Sequence, residues 1–383
     1  MIYLDNAATS FPKPRSVTEE QARCMRLYCG NPGRGSHALA MAAAERIYEC
    51  RCAVAELFGS ERPENVAFSM NTTTALNTVI KGLLRAGDHV LLSDMEHNAV
   101  FRPIYKMARE GIVSYDVFPT FPNDPKAAPS DICRAIEGLI KPQTRMLICA
   151  HASNICSAVL PLAEIGALCQ RRGILFVVDA AQSAGHIPIE VERMQIDALC
   201  APGHKGLLGP QGVGFFLLRS GLVADTLTEG GSGYHSLNGN MPQEAPERYE
   251  AGTLPTPAIA GLCEGIRAVR RYGVEEIGRH ERELNAYLQE LLSVLPRVRI
   301  YTPHLIGSVL LFNIEGIPAD LVGDALDRQG ICVRCGYHCT ALGHTTLGTA
   351  AGGAVRVSPG IFTARAEMRA LAEAVATLCK QSI

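Results

Sequence analysis

The chain has 383 residues, of which 47% are apolar and 19% charged, so a disordered polymer is excluded and the length favours two domains. A formal net charge of −2 leaves no positive excess for binding nucleic acid or an anionic membrane surface. The N-terminus lacks a basic start followed by an apolar run, and the 14 cysteines are too sparse for a disulfide framework, so we expect a cytoplasmic globular protein without a membrane segment.

Short apolar runs alternate with amphipathic stretches between about residues 65 and 219. The predicted strands are NVAFSM, HVLLSD, MLICA, ILFVVDA, IDALCA and GVGFFLLR, and helical spacing occurs in TTALNTVIKGLL, NAVFRPIYKMARE and PLAEIGALCQRRG. This alternation predicts an α/β domain with a mostly parallel central sheet. Ligands of such sheets gather beyond the C-terminal strand ends, where this sequence is unusually polar.

The pattern changes after a glycine-rich stretch, Glu229 to Met241. The sequence then predicts helices at Ala258–Arg271, Val274–Leu295, PADLVGDALDRQG and Ala364–Lys380, together with strands at VRIYT, SVLLFNI and ICVRC. We interpret this part as a smaller α+β domain. The predicted division is a large domain of residues 16–255 and a small domain of residues 1–15 and 256–383.

One lysine stands out among the seven in the sequence. Lys205 follows the predicted strand IDALCA and lies in Pro202-Gly203-His204-Lys205-Gly206, where glycines let the backbone approach a ligand closely. A lysine that binds pyridoxal phosphate covalently would suit this position. Taken alone, the segment is more typical of an ordinary loop lysine.

An acidic residue ends the buried run ILFVVD. An unpaired carboxylate there would be costly, so Asp179 should face a cation or a strong hydrogen-bond donor. A protonated pyridine nitrogen is such a partner, and Gln182 could then bond the phenolic oxygen of the same ring. The alternatives for Asp179 are a helix N-cap and a structural ion pair.

Polar clusters follow three other predicted strands. Asn71-Thr72-Thr73-Thr74 opens a helix, and its N–H groups and hydroxyls could bind a phosphate or form an ordinary N-cap. His97 could stack on a flat ring or act as an acid or base, and Asn154 lies in the segment HASN. A lone histidine is more often structural, but clusters that point to one sheet edge favour a common site.

Taken together, these segments resemble the cysteine desulfurase and selenocysteine lyase family, within the class V aminotransferase group of fold type I pyridoxal-phosphate enzymes. Ten segments carry the resemblance in the family's order: YLDNAATSFPKP, GNPGRGSH, NTTTALN, MEHNAV, HASN, VVDAAQSAGH, GHKGLLGPQGVG, RYEAGT, VRCGYHC and AVRVSPGIF. The resemblance covers nearly the whole chain and implies the fold type I architecture, with pyridoxal phosphate as cofactor.

The resemblance also implies residue roles. Residues matching the family's cofactor site are Thr72 and Thr73 for the phosphate, His204 beside it, His97 on the ring face, Asn154 and Gln182 for the phenolic oxygen, Asp179 for the ring nitrogen and Lys205 for the covalent bond. In the predicted small domain, Arg356 matches the arginine that binds the substrate carboxylate, and Asn154 is assigned to substrate binding as well. Cys339 matches the nucleophile of a mobile loop.

The implied reaction releases sulfur from L-cysteine. Lys205 would remove the Cα proton, and the Cys339 thiolate would take the sulfur as a persulfide and leave L-alanine. The resemblance further implies a homodimer and a possible sulfur-acceptor protein. Two alternatives stay open: a selenocysteine lyase or other β-eliminating lyase, and a low-turnover sulfur carrier or partner-binding scaffold.

The sequence departs from the family in its thiols and at one proline. Pro202 stands where the family commonly has serine or threonine, so one phosphate contact should be absent. Cys156 should place a thiol near the cofactor. Cys335 precedes Cys339 in RCGYHC; we hypothesise that it relays or resolves the sulfur, with a packing role as the alternative. Cys332 and Cys335 form a C-x-x-C motif. Because no second such pair accompanies it, the sequence does not predict a metal site.

Overall fold

The computed structural model describes residues 1–33, 35–234 and 236–380. Arg34 of the segment GNPGRGSH, His235 of the glycine-rich stretch and the last three residues assigned to the small domain lie outside the described residues.

Within these residues the chain forms thirteen strands, numbered in chain order. They are β1 (Ile2–Tyr3), β2 (Val66–Ser69), β3 (His89–Ser93), β4 (Ser114–Phe118), β5 (Thr144–Ala150), β6 (Leu175–Asp179), β7 (Ala198–Pro202), β8 (Gly214–Leu218), β9 (Val298–Ile300), β10 (Leu310–Ile314), β11 (Ile331–Cys332), β12 (Arg334–Gly336) and β13 (Ala354–Val357).

The same residues form eleven α-helices. They are α1 (Arg15–Leu27), α2 (Ala38–Leu57), α3 (Thr72–Leu83), α4 (Asn98–Arg109), α5 (Pro129–Leu139), α6 (Leu162–Arg172), α7 (Thr256–Tyr272), α8 (Val274–Ser293), α9 (Ala319–Asp327), α10 (Ala341–Thr346) and α11 (Arg365–Lys380). None of the described helices is long and apolar enough to cross a bilayer.

The large sheet has seven strands in the order β2-β8-β7-β6-β5-β3-β4. Only β8 runs against its neighbours, so the mostly parallel α/β sheet is confirmed. Alternate residues of β5 face opposite sides, with Met146 and Ile148 in one core and Leu147 and Cys149 in the other. Burial on both faces explains the continuous apolar runs of the central strands.

The smaller part is built on an antiparallel sheet of order β12-β13-β10-β9. Helices α8, α9 and α11 pack on it around a separate apolar core. This arrangement is the expected α+β unit. The boundary at residues 255 and 256 stays a prediction; α7, which it assigns to the small domain, contributes Ile259, Leu262 and Ile266 to a core of the large sheet.

Seven of the described strands and α-helices were not predicted from the sequence: β1, β4, β13, α1, α2, α5 and α10. Strand β4 was missed because it lies at the sheet edge, where its residues are mostly half-exposed and carry no continuous apolar pattern. The single predicted strand ICVRC is two short strands in different sheets, since β11 pairs with β1 and β12 pairs with β13.

Candidate active site

The C-terminal ends of the parallel strands meet around one cavity of about 540 Å³, part of which is open to solvent. All eight residues predicted to contact the cofactor line it: Thr72, Thr73, His97, Asn154, Asp179, Gln182, His204 and Lys205. They come from segments after five different strands, which the parallel arrangement brings to one edge of the sheet. A concave site on which several polar side chains converge is typical of a small-ligand site.

Lys205 and Asp179 face this cavity from neighbouring strand ends. Burial lowers the pKa of the Lys205 amine to about 8, and Asp179 opposes that change. Burial also raises the pKa of the Asp179 carboxyl, which accepts a hydrogen bond from the Ala181 N–H at 2.9 Å, while Lys205 lowers it. The site therefore contains an amine that is readily deprotonated beside a carboxylate that favours a cationic partner.

The start of α3 forms an anion-binding end of the cavity. Asn71 caps this helix by accepting a hydrogen bond from the Thr74 N–H at 2.9 Å, and the helix dipole is positive there. Within the described residues, the buried Thr72 hydroxyl and His204 Nδ1 have no hydrogen-bond partner. Unsatisfied polar atoms beside a helix N-terminus fit a phosphate group.

The backbone packs tightly beneath this anion-binding end. A Cβ on Gly214 would lie 2.8 Å from the Asn71 carbonyl carbon, so glycine is required where β8 passes under the helix start. Pro202 lines the cavity as well, with neither a hydroxyl nor an N–H to offer. The lost phosphate contact expected at this proline therefore stays a prediction.

His97 caps α4, and its ring lines the cavity. The Nδ1 atom accepts a hydrogen bond from the Ala99 N–H at 3.0 Å, which places the proton of the neutral ring on Nε2. Burial, and secondarily Lys205, lowers the pKa of His97 to about 4. The ring is therefore neutral at physiological pH and can stack on a ligand or donate from Nε2.

The two predicted amide contacts already have protein partners. Gln182 donates from Nε2 to the Ala7 carbonyl at 2.8 Å. Asn154 donates from Nδ2 to the His338 carbonyl at 2.7 Å and accepts from the Thr340 hydroxyl at 2.6 Å. Asn154 thus connects the cavity to the segment that carries Cys339, a role that the sequence did not indicate.

Arg356 lies on β13 and is 2% exposed. It donates from Nη2 to Asp5 at 2.6 Å and from Nη1 to the Asn154 carbonyl at 3.0 Å. Its buried Nε has no partner among the described residues. Beyond these two bonds the guanidinium keeps further N–H donors, Nε among them. Its predicted contact with the substrate carboxylate stays a prediction.

Sequence reasoning missed Asp5 and Arg334 in this region. Arg334 and Arg356 are cross-strand neighbours on the same face of the small sheet, and the Asp5 carboxylate lies 3.9 Å from Arg334 as well as beside Arg356. Like charges directly opposite each other are unfavourable, so Asp5 stabilises the pair. The only available signal was the position of Arg334 in RCGYHC, because the pairing with residue 5 spans the whole chain.

Sequence reasoning also missed Glu96, which precedes His97 and is fully buried. It accepts hydrogen bonds from the Ser93 hydroxyl and from the Ala150 N–H, and burial raises its pKa to about 8. This acid links the ends of β3 and β5 beneath the cavity. A carboxylate three residues after a buried strand was the signal that could have identified it.

Cys339 is exposed and follows β12 on the segment that Asn154 holds. Its carbonyl accepts a hydrogen bond from the Asn98 N–H at 2.8 Å, next to His97. The backbone contacts place this segment beside the cavity. The exposed thiol is accessible to a partner molecule, as a sulfur-transferring nucleophile requires.

Cys335 points to the other side of β12 from Arg334. A Cβ on Gly323 of α9 would lie 2.6 Å from its sulfur, and burial raises the pKa of the Cys335 thiol to about 11. The thiol packs against the small-domain core and is protonated at neutral pH. This placement favours the packing interpretation over the relay hypothesis, which stays a prediction.

Cys156 is likewise buried, in an apolar cluster with Met95 and Leu311.

We expect Cys335→Ala to keep full sulfur transfer and to lose about 1 kcal/mol of unfolding free energy, because a packed thiol is removed from a core. Urea unfolding measures the stability, with Cys29→Ala at an exposed position as the matched control. Mass spectrometry after cysteine turnover should find the same sulfur adducts in Cys335→Ala as in the wild type. A sulfur adduct on Cys335 itself would restore the relay hypothesis.

Comparison with known proteins agrees with these features. A model of the class-V aminotransferase family matches residues 2–371. A probable cysteine desulfurase of Methanothermobacter thermautotrophicus is 32% identical over 383 aligned positions, covering 97% of this chain and 93% of the relative. A cysteine desulfurase of Serratia proteamaculans is 32% identical and covers 88% of this chain and 84% of the relative.

Solved structures share the fold over nearly the full length. The apo cysteine desulfurase of Thermococcus onnurineus superposes with a TM-score of 0.89 at 30% identity, covering 99% of this chain and 94% of that protein. A cysteine desulfurase from Escherichia coli in an S-sulfonic acid form gives a TM-score of 0.85 at 26% identity, covering 98% of this chain and 94% of that protein.

Proposed function

Because this chain belongs to the class V aminotransferase family of fold type I enzymes, we propose that it is a pyridoxal-phosphate-dependent cysteine desulfurase. It takes sulfur from L-cysteine and leaves L-alanine. The observation that carries the proposal is the shared cavity of Lys205 and Asp179, with an anion-binding helix start at one end and the Cys339 segment beside it.

The residues of the cavity fit the cofactor. Thr72, Thr73 and His204 would hold its phosphate, where the unpartnered hydroxyl and ring nitrogen lie. Asp179 would keep the ring nitrogen protonated, and His97 would cover one ring face. When bound, pyridoxal phosphate supplies an electron sink for negative charge at the substrate's Cα.

Lys205 has two tasks in this proposal. Its amine would hold the cofactor covalently, and the same amine, when free, would move the proton of the substrate's Cα. A pKa of about 8 suits both tasks, since far more of the amine is neutral near physiological pH than in an ordinary lysine. Burial in the cavity is the main cause of this value, and Asp179 keeps it from falling further.

Arg356 would orient the substrate by its α-carboxylate. The unpartnered Nε and the adjacent Nη2 present donors to an anion, while Asp5 and the Asn154 carbonyl hold the guanidinium in place. A guanidinium fixed before substrate arrives loses little conformational freedom on binding. Asn154 thereby contributes to substrate binding through its backbone carbonyl.

Cys339 would accept the sulfur. Its thiolate forms an S–S bond with the substrate sulfur as the substrate's C–S bond breaks. The electron pair of that bond stays with the carbon, which takes up a proton and yields alanine. The persulfide on this exposed residue can then pass its terminal sulfur to an acceptor protein.

We also propose a homodimer in the cytoplasm. Large apolar side chains on α1 and α2 are more than half exposed, among them Met25 at 62% and Met41 at 60%, which supports burial against a second copy. All fourteen cysteines, every one among the described residues, are unpaired. Free thiols in this number support a reducing compartment.

The test of the proposed function is a parallel substrate assay on protein supplied with pyridoxal phosphate. We expect alanine and sulfide in equal amounts from L-cysteine in the presence of a thiol reductant. Selenide from selenocysteine with no alanine from L-cysteine would instead favour the lyase. Protein that binds no cofactor would favour the sulfur carrier or scaffold.

A further inference from the structure

The backbone at the nucleophile is held in an unusual conformation. His338 and Cys339 have φ values of 48° and 56°, so two consecutive residues with a Cβ occupy the left-handed region. Residues other than glycine rarely adopt this region, and such a conformation persists only where surrounding contacts enforce it. The contacts that enforce it here determine how the Cys339 thiol is presented.

A chain of side-chain hydrogen bonds leads from the nucleophile segment to α10 and the residues that follow it. His338 Nε2 lies 3.2 Å from the Arg334 carbonyl, and His338 Nδ1 lies 3.3 Å from His344 Nε2. On its other side, His344 Nδ1 lies 2.6 Å from the Thr349 hydroxyl. His344 is 1% exposed and lies on α10, five residues beyond Cys339 in the chain.

The partners fix the direction of every bond in this chain. A carbonyl only accepts, so His338 donates from Nε2 and must accept at Nδ1 when it is neutral. His344 therefore donates from Nε2 to His338. Its Nδ1 accepts from the Thr349 hydroxyl, which lies 2.6 Å from Nδ1 and 3.4 Å from its alternative acceptor, the His344 carbonyl. Each ring is satisfied as a neutral histidine, with its tautomer set by its neighbours.

Both rings are held neutral. Burial, followed by the charge of Arg356, lowers the pKa of His338 to about 3, and burial also lowers the pKa of His344. A neutral ring with both nitrogens engaged has no free position for a mobile proton. This arrangement suits a structural constraint on the backbone and not a proton path.

We propose that His344 is a positioning residue for the nucleophile: it fixes the His338 ring, and through it the left-handed backbone that presents the Cys339 thiol, while Thr349 orients His344. The proposal rests on the proposed function for the identity of the nucleophile. Asn154 and the Asn98 N–H hold the same segment from the large domain. Cys339 is thus fixed from both sides.

Four variants test this proposal. His344→Ala removes both ring contacts, His344→Gln can still donate to His338, and His344→Asn can still accept from Thr349 without reaching His338. Thr349→Val removes only the hydroxyl that orients His344, with Thr349→Ser as its matched control.

Three measurements are made on the protein loaded with pyridoxal phosphate. The change of the visible spectrum on cysteine addition reports the Lys205 site. Single-turnover mass spectrometry reports persulfide formation on Cys339. Hydrogen–deuterium exchange of residues 337–345 reports the conformation of the segment.

In His344→Ala and His344→Asn we expect the rate of persulfide formation to fall on the order of 10- to 100-fold, because misplacing a reacting group slows a reaction by about this factor. The spectral change on cysteine addition should stay as in the wild type. Exchange of residues 337–345 should rise in both variants. His344→Gln should stay within about threefold of the wild type, because it keeps the bond that holds His338. Thr349→Val should show a smaller loss, and Thr349→Ser none.

An equal loss of the spectral step and of persulfide formation would assign His344 a merely structural role and overturn the proposal. Unchanged exchange of residues 337–345 in His344→Ala would overturn it as well. Failure of the proposed function looks different, since the wild type itself would then form no persulfide on Cys339. In that case the exchange data still decide whether His344 fixes the segment.

Discussion

Lys205→Ala should lose the visible absorbance of bound cofactor near ~420 nm and, with it, alanine formation from cysteine. The covalent attachment and the proton transfer at Cα both depend on this amine. Removal of a general base alone costs on the order of 10²- to 10⁴-fold in rate, and loss of the attachment adds to that. Absorbance spectra and an alanine assay measure the two effects.

Lys205→Arg is the informative companion of this variant. It keeps a positive charge beside Asp179, but a guanidinium stays protonated and cannot act as a nucleophilic amine. We therefore expect the same loss of absorbance and turnover. Lys81→Ala, at an exposed position on α3, should leave both unchanged. Substantial turnover in Lys205→Ala would remove this residue from the reaction and the proposed function with it.

Cys339→Ser is expected to stop sulfur transfer while the cofactor site remains intact. Removal of an enzyme's nucleophile costs several orders of magnitude in turnover, and a serine hydroxyl is a poor substitute for a thiolate toward sulfur. The residue is exposed, so folding stability should not change. Alanine production, the cofactor spectrum and thermal unfolding together measure this outcome.

The spectral change on cysteine addition separates this variant from Lys205→Ala. In Cys339→Ser the change should persist, because substrate still reaches Lys205. Cys29→Ser is the matched control, since Cys29 is also an exposed thiol. If Cys339→Ser produced alanine at the wild-type rate, another thiol would have to be the acceptor, and Cys335 would be the next candidate.

Most of the candidate cofactor residues were found from local pattern, whereas His204 was assigned through the family resemblance. Asp179 and Lys205 each follow a buried apolar run, and both line the cavity. A local pattern suffices because parallel strands end at the same edge of a sheet, so polar residues placed directly after those strands converge. No knowledge of strand order was needed to bring Thr72, His97 and Asn154 to that edge.

The orientation of Cys335 could not be obtained in this way. Two thiols close together in RCGYHC indicated a pair with a shared task, whereas the structure turns Cys335 toward α9 and leaves Cys339 exposed. The sequence predicted one strand here, and the structure divides it between two sheets. Which face of β12 meets the core depends on its pairing with β13, which the sequence does not specify.

The sequence by itself determined the fold class, the family and the set of residues around the cavity. Alternating apolar runs and strand-end motifs can be recognised within short segments, without knowledge of how the strands pair. Only the tertiary structure decided the contacts between distant segments: Asp5 with Arg356, and Asn154 with the Cys339 segment. Those contacts depend on strand register and on the docking of the two sheets. A side chain's partner across such a boundary is set by packing of the whole chain, which no local pattern encodes.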